Sequence, residues 1–469
     1  MPMTPQPEAA THRSRSHLSR RHVVASLSGG TLAAAALAAC GSPFSASGPA
    51  KLTSKEPMTL VVGEAGLWAT PATQPQWTEM VRRWNEQFPW ITLQSEVTRG
   101  TANYQTKLIT IAAGGSGGPD ATQVYTGSAS AFASKRMIND LMPYIKKDDK
   151  GKLIDDLYPL YKSYYSFKGT QVALPLIGSP HNMYYNRNHI AEAGLKDPWE
   201  VFKAKNWTWD TYLEYAQKLT RQRGGKQTWG VMPTDRNTHR MALVVWGNGG
   251  DVWNKEVTEI RLHEDVATEP MQFQMDLTGK YHVTPSDEEF DKEMDGEELD
   301  GFYAGRLSIV NGQRLYVPDM EKSASFEKGH VPWPTGKKGR FNSDGLNAFG
   351  VYSQTKHPDE AWQFVRFMST VGHEVILLAG GSLPIRKAMR SDPKYSKSLR
   401  PWENVDVYDQ AAQSSNLVFF PPRYTDVDKT LQAGWNNAAN GKATVKSEMQ
   451  RLKPTADSLL RAEQYNNLL

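Results

Sequence analysis

Short apolar runs alternate along this chain with longer stretches whose apolar residues recur at helical spacing. Residues 58–63 form an apolar run of strand character. Across 76–88, Trp77, Met80, Val81, Trp84 and Phe88 share one helical face. Ile91, Leu93 and Val97 alternate along 91–97 as a second strand, 104–113 reads as a helix, and 121–125 as a third strand. Strand and helix in alternation predict α/β lobes, each a mostly parallel sheet flanked by helices. The glycine-rich loop 114–118 precedes a strand, and no Gly-Lys-Ser/Thr follows it. That places it as a helix cap and loop, not a phosphate cradle. Asp120 then shapes the turn into the third strand.

The chain is organised around residues 172–187. Strand character over 172–177 is broken at Gly178, Ser179 and Pro180 and resumes at Met183 to Tyr185. A strand that stops, turns and restarts predicts a crossover between two lobes. Beyond it, Thr208 caps a helix carrying Trp209, Tyr212, Leu213 and Ala216. An apolar run over 241–246 ends in Gly247, Asn248, Gly249, Gly250 and Asp251. The acidic stretch 287–300 lacks EF-hand spacing and reads as a solvated helical face. Residues 302–310 and 346–352 read as strands, the latter as a second crossover. Pro358 opens a helix with Asp359 and Glu360 in its first turn and Trp362, Val365 and Met368 on its buried side.

The ends change the picture. Arg13, Arg15, Arg20 and Arg21 precede an Ala-rich apolar run closing on Leu37-Ala38-Ala39-Cys40. Residues 1–40 therefore read as an export signal with a lipobox, too short in its apolar part to remain as a membrane helix. Ser19-Arg20-Arg21 resembles a twin-arginine signal, although Val23 and Val24 stand where that pattern prefers Phe and Leu. Cys40 is the sole cysteine, so no internal disulfide forms, and its position marks it for lipidation and stable anchoring to the outer face of the cell membrane. Residues 41–57 read as a flexible tether. Formal charge is +4, and four arginines less Glu8 place +3 of it in the signal, so no basic stripe points to nucleic acid. The 14 Trp and 19 Tyr suit sugar rings but equally a large core.

Tyr184-Tyr185-Asn186-Arg187, Ala193-Gly194-Leu195 and Thr208-Trp209-Asp210 resemble the extracellular solute-binding proteins of ABC sugar importers. So do Trp246-Gly247-Asn248-Gly249-Gly250-Asp251, Tyr303-Ala304-Gly305-Arg306, Asn311-Gly312, the segment from His357 to Phe364, and Ser382 to Arg386. No one of these motifs is specific; their order and spacing are. The resemblance implies two lobes, 58–177 plus about 347–415 and 178–346 plus about 416–469, with ligand in the cleft beside a hinge strand. It implies a monomeric carbohydrate receptor that closes on its ligand without chemistry or cofactor and serves a membrane permease. Gln313-Arg314 replaces the family's common Pro-Trp, removing a frequent sugar-stacking ring.

Ligands in open α/β sheets sit beyond the carboxyl ends of strands. That rule selects Glu64 and Trp68, then Tyr125, Thr126 and Ser128, then Ser179 and His181, and finally Trp246, Asn248, Arg314 and Asp344. The resemblance adds Arg386, Arg423 and Tyr424. Plainer roles stand beside these: solvated carboxylates for Glu64 and Asp344, turn bonds for Thr126, Ser128 and Ser179, core packing for Trp246, ion pairs for Arg314 and Arg423. His181 has no metal-ligand partner at the right spacing. A secreted carbohydrate-active hydrolase is the rival reading, with a carboxylate pair drawn from Glu64, Asp120 and Asp344.

Overall fold

A buried ribbon joins two five-stranded sheets. In the computed structural model, which describes residues 55–462 except 72, 116, 150, 168, 233–235 and 295–297, the first sheet contains β1 (Met58–Glu64), β2 (Ile91–Val97), β3 (Ala121–Tyr125) and β4 (Leu174–Pro180). The second contains β5 (Asn182–Asn186), β6 (Arg221–Arg223), β7 (Lys226–Met232), β8 (Leu307–Gly312) and β9 (Lys328–Val331), while β10 (Asp344–Val351) returns to the first. Strand order is β2-β1-β3-β10-β4 in one and β9-β5-β8-β7-β6 in the other. The signal region and Cys40 lie outside the described residues.

Both sheets are mixed, which corrects the expectation of mostly parallel pairing. In the first, β1 runs parallel to β2 and β3, but β10 is antiparallel to β3 and β4. In the second only β7 and β8 are parallel. Topology forces this. β10 comes back from the second sheet at the carboxyl end of β3 and must run against it.

The ribbon corrects a second expectation. Gly178, Ser179 and Pro180 do not break the strand; β4 runs through them, and His181 alone separates it from β5. Glycine is required at 178 for close packing: a Cβ there would lie 2.8 Å from both Tyr161 and Ile385. The expected strand 302–310 is also revised. Residues Glu298–Tyr303 are helical, Gly305 turns at φ +69°, and β8 begins at Leu307. The apolar run 241–246 lies inside a helix, Thr238–Asn248, capped by the Asn237 side chain and ended by left-handed Gly249.

Other features follow the pattern directly. Leu60, Val62, Ile91, Ala121 and Val124 are buried in the first sheet, and the Trp84 indole beneath it donates to the Ile91 carbonyl at 2.9 Å. Trp362 is fully buried, stacked on Tyr144 at 5.4 Å and donating to Asp148 at 2.6 Å. The helix Thr101–Gly114 ends in left-handed Gly115, as a cap and not a cradle. Asp120 accepts from the Val61 amide at 2.9 Å and from the Thr355 hydroxyl at 2.5 Å, pinning the start of β3.

Two chain passages connect the sheets, His181 and residues 332–343, and a third segment, 414–423, runs beside them between the helices Val405–Gln413 and Tyr424–Ala439. Buried Asn342 ties all three. Its side-chain amide donates to the His181 carbonyl at 2.7 Å, its own N–H donates to Ser414 O at 2.8 Å, and its carbonyl accepts from the Asn416 N–H at 2.8 Å.

Candidate functional site

The seam between the lobes lies at the carboxyl ends of β3 and β7. A cavity of ≈ 300 Å³ opens there, lined by Thr101, Tyr125 and Thr126 from one lobe and Asn237, His239, Phe420, Tyr424, Thr425 and Asp428 from the other. That is near the lower end of the range for small-molecule sites. Tyr125 ends β3 and donates its hydroxyl to Gln105 at 2.9 Å. Tyr424 opens the helix Tyr424–Ala439 and meets the Phe420 ring edge-on at 4.6 Å. Together they give the cavity an aromatic wall.

Behind this wall His181 is the hub. Its N–H donates to the Ser343 carbonyl at 3.3 Å, and its ring lies 6.2 Å from that of His239. Arg240, next along the helix, donates to His181 Nε2. A guanidinium has only donors, so Nε2 accepts and the proton sits on Nδ1. Burial first, then Arg240, hold both histidines well below the usual imidazole range, and each stays neutral. The Asn311 carboxamide stands beside Nδ1 but outside hydrogen-bond geometry. His181 Nδ1, His239 Nε2, Asn311 Oδ1 and Ser343 Oγ are all buried without a partner. Orphaned polar groups cost about 1–3 kcal/mol each. Of the four residues only His239 lines the cavity; the other three are enclosed at the hinge behind it.

The remaining expected site residues lie elsewhere. Glu64 is buried and accepts from the Gly66 and Leu67 amides at 2.8 and 2.5 Å, so its carboxylate folds the loop after β1. Trp68 packs into the core, stacked on Trp77 at 5.8 Å. Ser128 donates to the Tyr125 carbonyl at 3.0 Å, a turn bond. Ser179 accepts from the Arg314 amide at 2.7 Å and so positions the hinge. Trp246 sits in the last turn of its helix, its indole donating to Asp251 at 3.3 Å and its ring 6.4 Å from Phe341. Asn248 lines a separate ≈ 310 Å³ cavity with Trp209 and Phe273. Both are about two helical turns from His239.

Arg314 is corrected from ligand contact to structural cation. It is enclosed with Glu403, bonded at 2.8 Å, and its side chain runs away from the seam to Ser382 and Ser398. Asp344 opens into a different cavity, on the opposite side of the hinge ribbon. Arg386 caps a short helix and contacts Met389. Arg423 is spent on Asp426 at 2.6 Å beside Tyr424. The structure thus brings Tyr125, Thr126 and Tyr424 into one cavity, sets His181 behind it against the His239 ring, and disperses the rest. With Glu64, Asp120 and Asp344 each held in a different setting, no carboxylate pair forms across the seam.

Sequence reasoning missed Asn237, His239, Arg240, Phe420 and Asp428. The signal for the first three is the strand 226–232, whose carboxyl end delivers them; it was not singled out because Lys226 and Gln227 dilute its apolar pattern. Phe419-Phe420-Pro421-Pro422 stood beside residues already chosen.

The family model for bacterial extracellular solute-binding proteins matches residues 69–373. A Brucella abortus protein described only as a binding protein is 22% identical over 368 residues, covering 74% of this chain and 85% of that one. Among solved structures, the Listeria monocytogenes ABC substrate-binding protein in complex with cycloalternan superposes with a TM-score of 0.76 at 20% identity, covering 87% of this chain and 99% of the other. Maltose-bound MalE3 of T. maritima gives 0.71 at 18%, covering 86% and 99%.

Proposed function

Because this chain belongs to the bacterial extracellular solute-binding proteins, we propose that it captures a sugar or oligosaccharide in the seam between its lobes and delivers it to an ABC-type permease. The observation that carries the reading is the seam cavity itself, walled by Tyr125, Phe420 and Tyr424 and lined by His239, whose Nε2 is buried and unpartnered. Hydroxyl groups can both donate and accept, so a polyol satisfies His239 Nε2 in either tautomer. The aromatic wall receives the apolar face of a pyranose ring. The cycloalternan and maltose complexes of structurally similar proteins support this ligand class.

Capture needs hinge motion, because the polar groups of the seam are buried. The three segments held by Asn342 are the elements that flex, and closure brings Tyr125 and Thr126 against His239 and Tyr424. Anchoring is proposed from sequence, through a diacylglyceryl Cys40 and the tether that follows it. Among the described residues no helix is long and apolar enough to cross a membrane.

A thermal-shift screen over oligosaccharides, polyols, glycerol phosphates and uronic acids tests the reading. A ligand at a hundredfold its Kd stabilises by about 2.7 kcal/mol. The ligand recovered afterwards is chemically unchanged. A shift confined to non-carbohydrate compounds, or time-dependent cleavage of the sugar, overturns it.

A further inference from the structure

A second cavity, of ≈ 340 Å³, lies behind the hinge ribbon. The ribbon's alternation separates it from the seam. Asp344 pairs with Pro180 and Leu346 with Gly178, and the Gly178 position faces Tyr161 and Ile385. Gly345, one residue on, faces Gln313 on the other side. Asp344 therefore points away from His181 and into a chamber walled by Tyr158, Tyr161, Tyr395 and Tyr408, with Arg390 and Asp409 among its polar lining.

The Asp344 carboxyl is 0% exposed. The Tyr161 hydroxyl reaches Oδ1 at a long 3.5 Å. The Ser415 hydroxyl has one proton, shared between Asp344 and the Ala411 carbonyl 3.1 Å away. Oδ2 has no partner. Among the described residues no ion pair to this acid is present, and the lining Arg390 is committed to Asp409 at 2.5 Å. With Asp344 ionised, two carboxylates against one guanidinium leave the chamber with a net charge of −1. Its walls already accept cations: Arg390 lies over the Tyr395 ring at 5.3 Å, and Arg314 over Tyr408 at 5.8 Å. Tyr158 and Tyr161 meet edge-to-face at 6.2 Å.

We propose that this chamber is a binding site for a small organic monocation of the ammonium class, its charge paired with Asp344 and its alkyl groups held against Tyr158 and Tyr161. An anion is repelled by Asp344 and Asp409. A neutral polyol leaves the buried carboxylate without a counter-charge, which is costly in a low-dielectric site. Aromatic walls around an acid are the setting in which alkylammonium groups gain cation–π attraction.

Burial pushes Asp344 up to about 7, against the opposing hydrogen bonds of Ser415 and Tyr161. A cation binds the ionised form, so its affinity falls about tenfold from roughly pH 8 to roughly pH 6. The facing groups hold their charge across that window. Tyr161, Tyr164 and Tyr408 are phenols raised further by burial, while Arg390 stays paired with Asp409.

The site stands independently of the sugar reading, and calorimetry tests it on the chain lacking its export signal. Choline chloride is titrated beside neohexanol, its uncharged carbon isostere. Choline binds saturably and at least tenfold tighter than neohexanol, with the stated fall at low pH. Asp344→Asn loses at least tenfold in choline affinity, and Tyr158→Ala at least threefold, both with the thermal response to sugar retained. Absence of choline binding, equal affinity for neohexanol, or full choline affinity in both variants overturns the proposal. Should Asp344→Asn fail to fold, Tyr158→Ala and the pH profile decide alone.

Discussion

Replacing Glu403 by alanine tests whether Arg314 belongs to the scaffold. Arg314 donates from Nε to Glu403 at 2.8 Å, from Nη1 to the Ser382 carbonyl at 2.5 Å, and from Nη2 to Ser398 O and Oγ at 3.1 and 3.2 Å. Glu403 accepts in addition from the Tyr408 hydroxyl at 2.6 Å and the Arg400 amide at 2.7 Å. Both charged side chains are 0% exposed. Burial works against the Arg314 charge, but Glu403 and neighbouring phenols outweigh it and hold the guanidinium pKa above its usual value. Truncating Glu403 strands a cation and leaves three donors without acceptors. Three orphans at about 1–3 kcal/mol set the scale. Relaxation and water entry bring this to about 3–5 kcal/mol, as for buried pairs broken on one side. The double replacement Arg314→Met with Glu403→Leu recovers most of the loss, because it removes both charges together. Urea unfolding of wild type, single and double variants measures the costs, and sugar titration of each should show affinity held. A single-variant loss below about 1 kcal/mol, or a double variant no better than the single, refutes the reasoning.

Trp362→Ala opens a cavity beside Tyr144 and removes the hydrogen bond to Asp148, costing about 3–5 kcal/mol in denaturant unfolding with sugar affinity kept in the folded fraction. Trp246→Ala, in contrast, leaves affinity within about twofold on titration, since the ring lies off the seam; a large loss would move the site toward Asn248. Asp344→Asn flattens the pH dependence of stability. A carboxyl held up to about 7 in the fold binds its proton more tightly than the unfolded chain. Stability is therefore fully favoured below the unfolded value near 4 and declines as pH rises to about 7, by at most about 1.4 kcal/mol per unit. Unfolding of both proteins across that window should show the decline in wild type alone. Cys40→Ser releases the protein from membranes without unfolding it; retention in the membrane fraction after a high-salt wash contradicts lipid anchoring.

The first three strands and their helices were legible because apolar residues recur at strand or helix spacing along most of that stretch. The hinge ribbon was legible in place but not in form. Gly178 and Pro180 are strand breakers by propensity, and packing of Tyr161 and Ile385 against the bare glycine overrides that preference. Local pattern also cannot show which face of a strand meets which lobe. Asp344 and Gly345 are neighbours in sequence and point to opposite sides of the ribbon, so a rule that selects strand ends places both in the cleft. Arg314 was chosen for the position it occupies after β8. Its partner Glu403 is 89 residues away, a pairing no local spacing reveals. Trp246 followed an apolar run ending in glycines, and only helical geometry carries it two turns from His239. Tyr125 stood at a strand end and Tyr424 came from the family resemblance, and the structure joins them in one cavity.

Calorimetric titration of wild type and His239→Ala, with the sugar giving the largest thermal shift, bears most directly on the seam as the binding site. His239 Nε2 is buried and unpartnered, and the residue lines the cavity. Loss of a ligand hydrogen bond and of the ring contact with Phe420 should weaken binding at least tenfold, about 1.4 kcal/mol, while the unfolding midpoint moves little. Unchanged affinity in a folded His239→Ala protein would contradict the account and place the sugar elsewhere in the molecule.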